Sequence, residues 1–154
     1  MERLKRLHKF LYLSSADRRL IAQSVVLVWA MRLGLWLLPF RILRRLLARV
    51  TKSSSKLHKL QERDRASVDR VVWAVTIASR YVPAATCLTQ SLATKVLLSR
   101  RGHQASVHIG VARSEAGQFQ AHAWVENDGI VVIGGPKSQL KRYTPLPASS
   151  EETI

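Results

Sequence analysis

The sequence predicts an α+β fold, with helices first and a small antiparallel sheet after them. Apolar residues recur at helical spacing through roughly the first hundred residues, the 3.6-residue period of helices that bury one face. From Ala105 the pattern changes to alternation, the period of a half-buried strand. Asn127-Asp128-Gly129 separates two such runs, a strong short-range sign of a β-hairpin.

At 154 residues the chain fits one domain with a modest appendage, and its 47% apolar content supplies a core. One cysteine excludes an intramolecular disulfide framework, and no Cys/His cluster has zinc spacing, so a reducing cytoplasmic setting is expected. No secretory signal is evident, because the first apolar run begins at Leu20 behind a basic start. The net charge of +15 is uneven: residues 1–70 hold 17 Lys/Arg against 5 Asp/Glu, and residues 71–154 hold 8 against 5. That asymmetry fits either an anionic partner for the N-terminal half or a solvated arginine-rich surface. No aromatic-interleaved basic patch, RNP-like strand or helix-turn-helix signature appears, so nucleic acid is not an expected partner.

Each element follows from local pattern. Leu4, Leu7, Phe10 and Leu11 stripe a short basic amphipathic helix over 1–13. Ser14, Ser15 and Asp17 are N-cap candidates for the next helix. From Leu20 to Phe40 the chain is almost wholly apolar, at about 20 residues long enough to span a bilayer. Arg32 near its middle is costly in lipid, and basic residues flank both ends, so no topological asymmetry appears. A buried core helix is favoured, with peripheral membrane contact through residues 1–50 as the alternative. Pro39 suits a break, after which Phe40, Leu43, Leu46, Leu47 and Val50 share one face and Arg41, Arg44, Arg45 and Arg49 the other.

TKSSSK (51–56) reads as a linker, giving an N-terminal helical region (1–56), a core (57–144) and a loose tail (145–154). A helix from Asp64 to Ser79 carries Val68, Val71, Val72, Val75 and Ala78 at helical spacing. Another covers Thr86–Arg101, with Leu88, Leu92 and Val96 as its buried stripe, Ala93 and Leu97 widening it, and Gly102 as its C′ residue. Strands are expected at Ala105–Arg113, Phe119–Glu126 and Ile130–Ile133.

The chemistry concentrates in two residues. Cys87 stands in the first turn of its helix, where unpaired amides favour a thiolate and can receive an oxyanion. A lone cysteine is more often a small buried hydrophobe, but His122 lies 35 residues on, on the same strand face as Gln120, Trp124 and Glu126. A thiol and an imidazole on separate rigid elements are the minimum for cysteine nucleophilic catalysis. His108, of matching parity on the neighbouring strand, reads as structural. Trp124 fits a site wall or an edge-packing role equally, and Gln90 reads as a solvated helix residue. A third group should orient the imidazole. Glu126 is about 13 Å along the strand, too far. With Asn127–Gly129 as a three-residue loop, His122 faces Gly134, and glycine offers no side chain.

The runs CLTQSLATKVLLSRRGHQASVHIGV (87–111) and FQAHAWVENDGIVVIGG (119–135), behind arginine-rich hydrophobic helices, resemble the lasso-peptide biosynthesis B proteins in their stand-alone protease form, equivalent to the C-terminal half of the microcin-processing B protein. The resemblance implies a papain-related, transglutaminase-like fold and a cysteine protease that removes the leader of a ribosomally made precursor peptide. It implies Cys87 as nucleophile and His122 as general base and acid. The aspartate that this family carries twelve residues after the histidine falls on Gly134. Implied partners are the precursor peptide, a small leader-recognition protein and a lasso cyclase. Members are reported to depend on ATP, but no phosphate-binding loop is present, so no cofactor and no metal is expected. Two other readings fit the same residues: a transglutaminase-like acyltransferase, and a non-catalytic basic module at a membrane surface.

Overall fold

The computed structural model describes residues 13–39, 42, 43, 45–47, 49, 65–114 and 117–146. The expectations for the start of the chain, the TKSSSK linker and the terminal SSEETI lie outside the described residues.

Helix α1 runs over Ser15–Leu37, five residues earlier than the apolar run suggests, because Ser14 is the N-cap and its hydroxyl accepts from the Asp17 amide at 3.1 Å. It stops at Leu38, whose extended backbone is what a residue preceding a proline adopts. The expectation of a buried core helix is only half met. Leu20, Ile21, Ser24, Val28 and Met31 are buried, the Ser24 hydroxyl donating to the Leu20 carbonyl at 2.8 Å. Val26, Trp29, Leu33, Trp36 and Leu37, at spacings of three and four, form an exposed stripe along the other side. Among the described residues α1 is the one helix long and apolar enough to cross a membrane, judged by length and composition. Beyond it Leu43 and Leu47 are buried while Ile42, Arg45, Leu46 and Arg49 are exposed.

Helix α2 (Arg65–Ser79) buries Val68, Val71, Ala74, Val75 and Ala78. It is tied to the start of α1 by Arg70, which donates to Asp17 through both Nη2 and Nε, the latter at 3.2 Å. Helix α3 (Cys87–Arg100) lies at the centre, packed against α1, α2 and the sheet. Its expected single stripe is too narrow: every residue from Ser91 to Leu98 is buried, and Leu88 is only half-buried. Val28 and Met31 of α1, Leu43 and Leu47, Val68, Val71 and Val75 of α2, Leu92, Ala93, Val96, Leu97 and Leu98 of α3, and Ala105 and Val125 of the sheet belong to one continuous apolar core.

The sheet has the order β3-β2-β1-β4 and is antiparallel throughout. Strand β1 (Ala105–Arg113) pairs with β2 (Phe119–Asn127) along its whole length, and β3 (Ile130–Ile133) closes the hairpin. The loop differs from expectation. Asn127 pairs with Ile130, leaving a two-residue Asp128-Gly129 turn with φ +50° and +75°, the left-handed pair that a type I′ turn requires. A bulge then leaves Val132 unpaired, since Glu126 faces Val131 but Val125 faces Ile133. The segment after β3, expected to be loose turns, forms a short helix α4 (Lys137–Leu140) and a two-residue strand β4 (Thr144–Pro145) on the edge of β1.

The Asp17 carboxyl is held below its ordinary value, first by hydrogen bonds from Arg70 and Ser14. A depressed carboxyl contributes stability that is present above its ordinary value and lost as pH falls below about 4. Asp17→Asn is therefore expected to melt below the parent at pH 7, with the two melting temperatures converging as pH is lowered through this range in thermal scans.

Candidate active site

The approach to Cys87 is a turn built from Val82-Pro83-Ala84-Ala85. Val82 is buried in the core, Pro83 supplies its fixed φ, and Ala84 stands at φ +54° while the Ala85 amide donates to the Val82 carbonyl at 3.3 Å. Thr86 follows in extended conformation as the N-cap, so it precedes the helix and does not begin it. Its hydroxyl accepts from the Thr89 amide at 3.3 Å and bonds the Thr89 hydroxyl at 2.9 Å. The first bond of the helix ladder runs from the Gln90 amide to the Thr86 carbonyl at 3.1 Å. Cys87 is thus the first residue of α3, a free and half-buried thiol. The cap takes the Thr89 amide, which leaves those of Cys87 and Leu88 outside the ladder, directed past the helix end.

His122 is half-buried on β2, facing Gly110 across the ladder. Its Nε2 lies 2.5 Å from the carbonyl oxygen of Gly134, and its ring meets that of Tyr143 with centroids 5.2 Å apart. Gly110 permits this assembly, because a Cβ there would sit 2.9 Å from Cβ of Tyr143 and 3.0 Å from the Trp124 ring. Trp124, expected on a polar face, is only 5% exposed. It stacks on His108 with centroids 5.6 Å apart and donates from Nε1 to Glu126 Oε1 at 3.2 Å. Glu126 also reaches His108 at 3.6 Å. His108 and Glu126 therefore serve Trp124 and lie apart from His122. Gln90 is half-buried and adds its amide to the helix ladder.

Cys87 opens α3 and His122 lies within β2, on separate elements of the fold. The 14-residue α3 is about 21 Å long, which equals about six strand residues. Arg101–Gln104 turns the chain back into β1, with Gly102 at φ +79°. No hydrogen bond joins the thiol to the imidazole among the described residues. The ring leaves β2 on the side of Trp124 and Tyr143, whereas Val125 alternates into the core shared with the helices.

Tyr143 and the Gly134 carbonyl escaped the sequence reading. Gly110, a glycine inside an alternating strand and opposite a histidine, was the available sign of close approach. Nothing local marks Tyr143.

A small antiparallel sheet packed on a central helix that opens with cysteine gives a mixed α+β architecture. The model of the transglutaminase-like superfamily matches residues 34–148, and the chain belongs to that superfamily, which includes cysteine proteases and acyltransferases. Neither a curated protein nor a solved structure matches the chain.

Thr86→Ala removes the side-chain cap directly before the thiol. It is expected to cost about 1 kcal/mol and to lower the melting temperature by about 2–4 °C for a chain of this size, while Thr86→Ser retains the parent value in calorimetry.

Proposed function

We propose that this protein is a cysteine protease that removes the leader from a ribosomally synthesised precursor peptide of the lasso class. The observation that carries the reading is Cys87 as the first residue of a capped helix, where a thiolate is favoured. Membership of the transglutaminase-like superfamily supports the chemistry. The likeness of residues 87–111 and 119–135 to lasso B proteins supports the substrate. The partners that follow are a leader-recognition protein and a cyclase that closes the ring.

In this mechanism the Cys87 thiolate attacks the scissile carbonyl, and the free amides at the start of α3 receive the oxyanion. His122 holds the thiol's proton and passes it to the departing amine, so the peptide bond breaks and a thioester forms. Water, deprotonated by His122, then cleaves the thioester and regenerates the thiol. Transfer of the thiol's proton requires the imidazole, which leaves β2 on the sheet face away from the core that α3 shares, to reach the thiol around the end of the sheet. Cys87→Ala is expected to abolish cleavage while precursor binding persists. Mass spectrometry of the parent reaction should show leader and core as two fragments. Loss of ammonia with crosslinking would instead assign the acyltransferase, and undiminished cleavage by the variant would remove Cys87 from the chemistry.

The exposed stripe of α1 fits an anionic membrane surface in this reading. Trp29 and Trp36 sit on it with Val26, Leu33 and Leu37, and Arg18, Arg19, Arg45 and Arg49 are exposed in the same segment. The acid of α1, Asp17, is already paired with Arg70. Tryptophan with arginine is the composition of helices that lie in an anionic lipid interface. The protein is expected to float with phosphatidylglycerol vesicles, less so with phosphatidylcholine, and to lose flotation in Trp29→Ser/Trp36→Ser. Equal recovery of parent and variant from both vesicle types would refute the assignment.

A further inference from the structure

We infer that the backbone carbonyl of Gly134 is the group that orients His122, standing in for the side-chain acid of related enzymes. This deepens the protease reading above and rests on it for its catalytic meaning. A carbonyl oxygen accepts and cannot donate. At 2.5 Å from it, Nε2 must carry the proton, so in the neutral ring Nδ1 is the free base. The contact therefore selects one tautomer and fixes the direction in which the lone pair points. That is the service an aspartate or asparagine performs for the histidine of a triad.

Three features show that the main chain at 134 holds this place and that a side chain cannot. Gly134 has φ +109°, a conformation that L side chains rarely adopt. A Cβ there would collide with Cβ of Trp124, and would lie 2.7 Å from its Cα and 2.9 Å from the Ala123 carbonyl oxygen. These last two are backbone atoms of β2, so nothing flexible can yield. The unpaired Val132 shifts the register by one residue just before this point. Continued from the Val125–Ile133 pair, that register sets Gly134 against Trp124, two residues from His122.

The carboxylates within the hairpin are committed elsewhere. Glu126 receives the Trp124 indole and faces His108, and Asp128 sits in the turn at φ +50°. Tyr143 covers one face of the imidazole and limits its rotation. His122 is thus held by a carbonyl at one nitrogen and a ring against its plane, with Nδ1 left for the reaction. Substituting the family's acid at this position would not rebuild a triad, because it would part β3 from β2.

The test reads the tautomer directly. In the full-length protein with 15N-labelled histidine, two-bond 1H–15N correlation at alkaline pH is expected to show His122 as the Nε2–H form, its signals assigned by their loss in His122→Gln. The Nδ1–H form, or signals averaged between the two tautomers, would overturn the inference. As a second measurement, Gly134→Asp is expected to melt several degrees below the parent and to show no gain in cleavage of the precursor. Unchanged melting together with faster cleavage would also overturn it. The spectrum does not depend on turnover, so an inactive parent with the Nε2–H form would count against the protease reading and leave the Gly134 contact standing.

Discussion

The burial of α3 on nearly all sides is the constraint on which the rest of this structure depends. Helices α1 and α2 cover it from one side and the sheet from the other, so residues Ser91 to Leu98 have no exposed face. Most of its buried side chains are small or apolar, alanine, serine and threonine interleaved with leucines and valine, and Lys95 is buried among them. The arrangement leaves only the two ends of the helix toward the surface, Cys87 half-buried at one and Arg100 exposed at the other. Cys87 stands there because the residues after it are buried, and the Thr86 cap and the Pro83-Ala84 turn aim the chain into the helix.

Much of this was legible in the sequence, and the failures have identifiable causes. Strand β1 begins and ends where the alternation does, because an antiparallel strand with one buried face imprints a period of two, and β3 matches the apolar run that follows the turn. The start of α1 was marked by Ser14, a polar cap lying outside the hydrophobic pattern and among the N-cap candidates. Helix α1 was expected in the core because hydrophobicity does not say which apolar residues find partners. Leu33 and Trp36 are as apolar as Val28, yet only Val28 meets α3 and α2.

The hairpin teaches a sharper lesson. A three-residue loop would set Gly134 opposite His122, whereas the observed two-residue turn lies one residue off that register and the bulge makes it two, setting Gly134 opposite Trp124. The Gly134 carbonyl nevertheless reaches His122. The sequence thus pointed to the right neighbour through the wrong register, and then dismissed it because glycine has no side chain. Backbone carbonyls are invisible to motif reading. Every residue has one, and only local conformation decides where it points.

A carbonyl in the orienting place changes what a cysteine–histidine pair needs from its surroundings. It fixes tautomer and direction as a carboxylate does, but hydrogen bonds to an ionised acceptor are roughly twice as strong as those to a neutral one. The imidazolium that forms when His122 takes the thiol's proton would therefore be supported less. That charge must be balanced within the site, by the thiolate formed with it and by the positive end of α3 that holds the thiolate in turn. In serine-based triads the nucleophile is a poor acid and the carboxylate is essential. A thiol ionises far more readily, so a cysteine enzyme needs its histidine oriented more than it needs it charged. The glycine at 134 is compatible with catalysis for that reason, and the chemistry proposed for this chain asks of its third group only geometry.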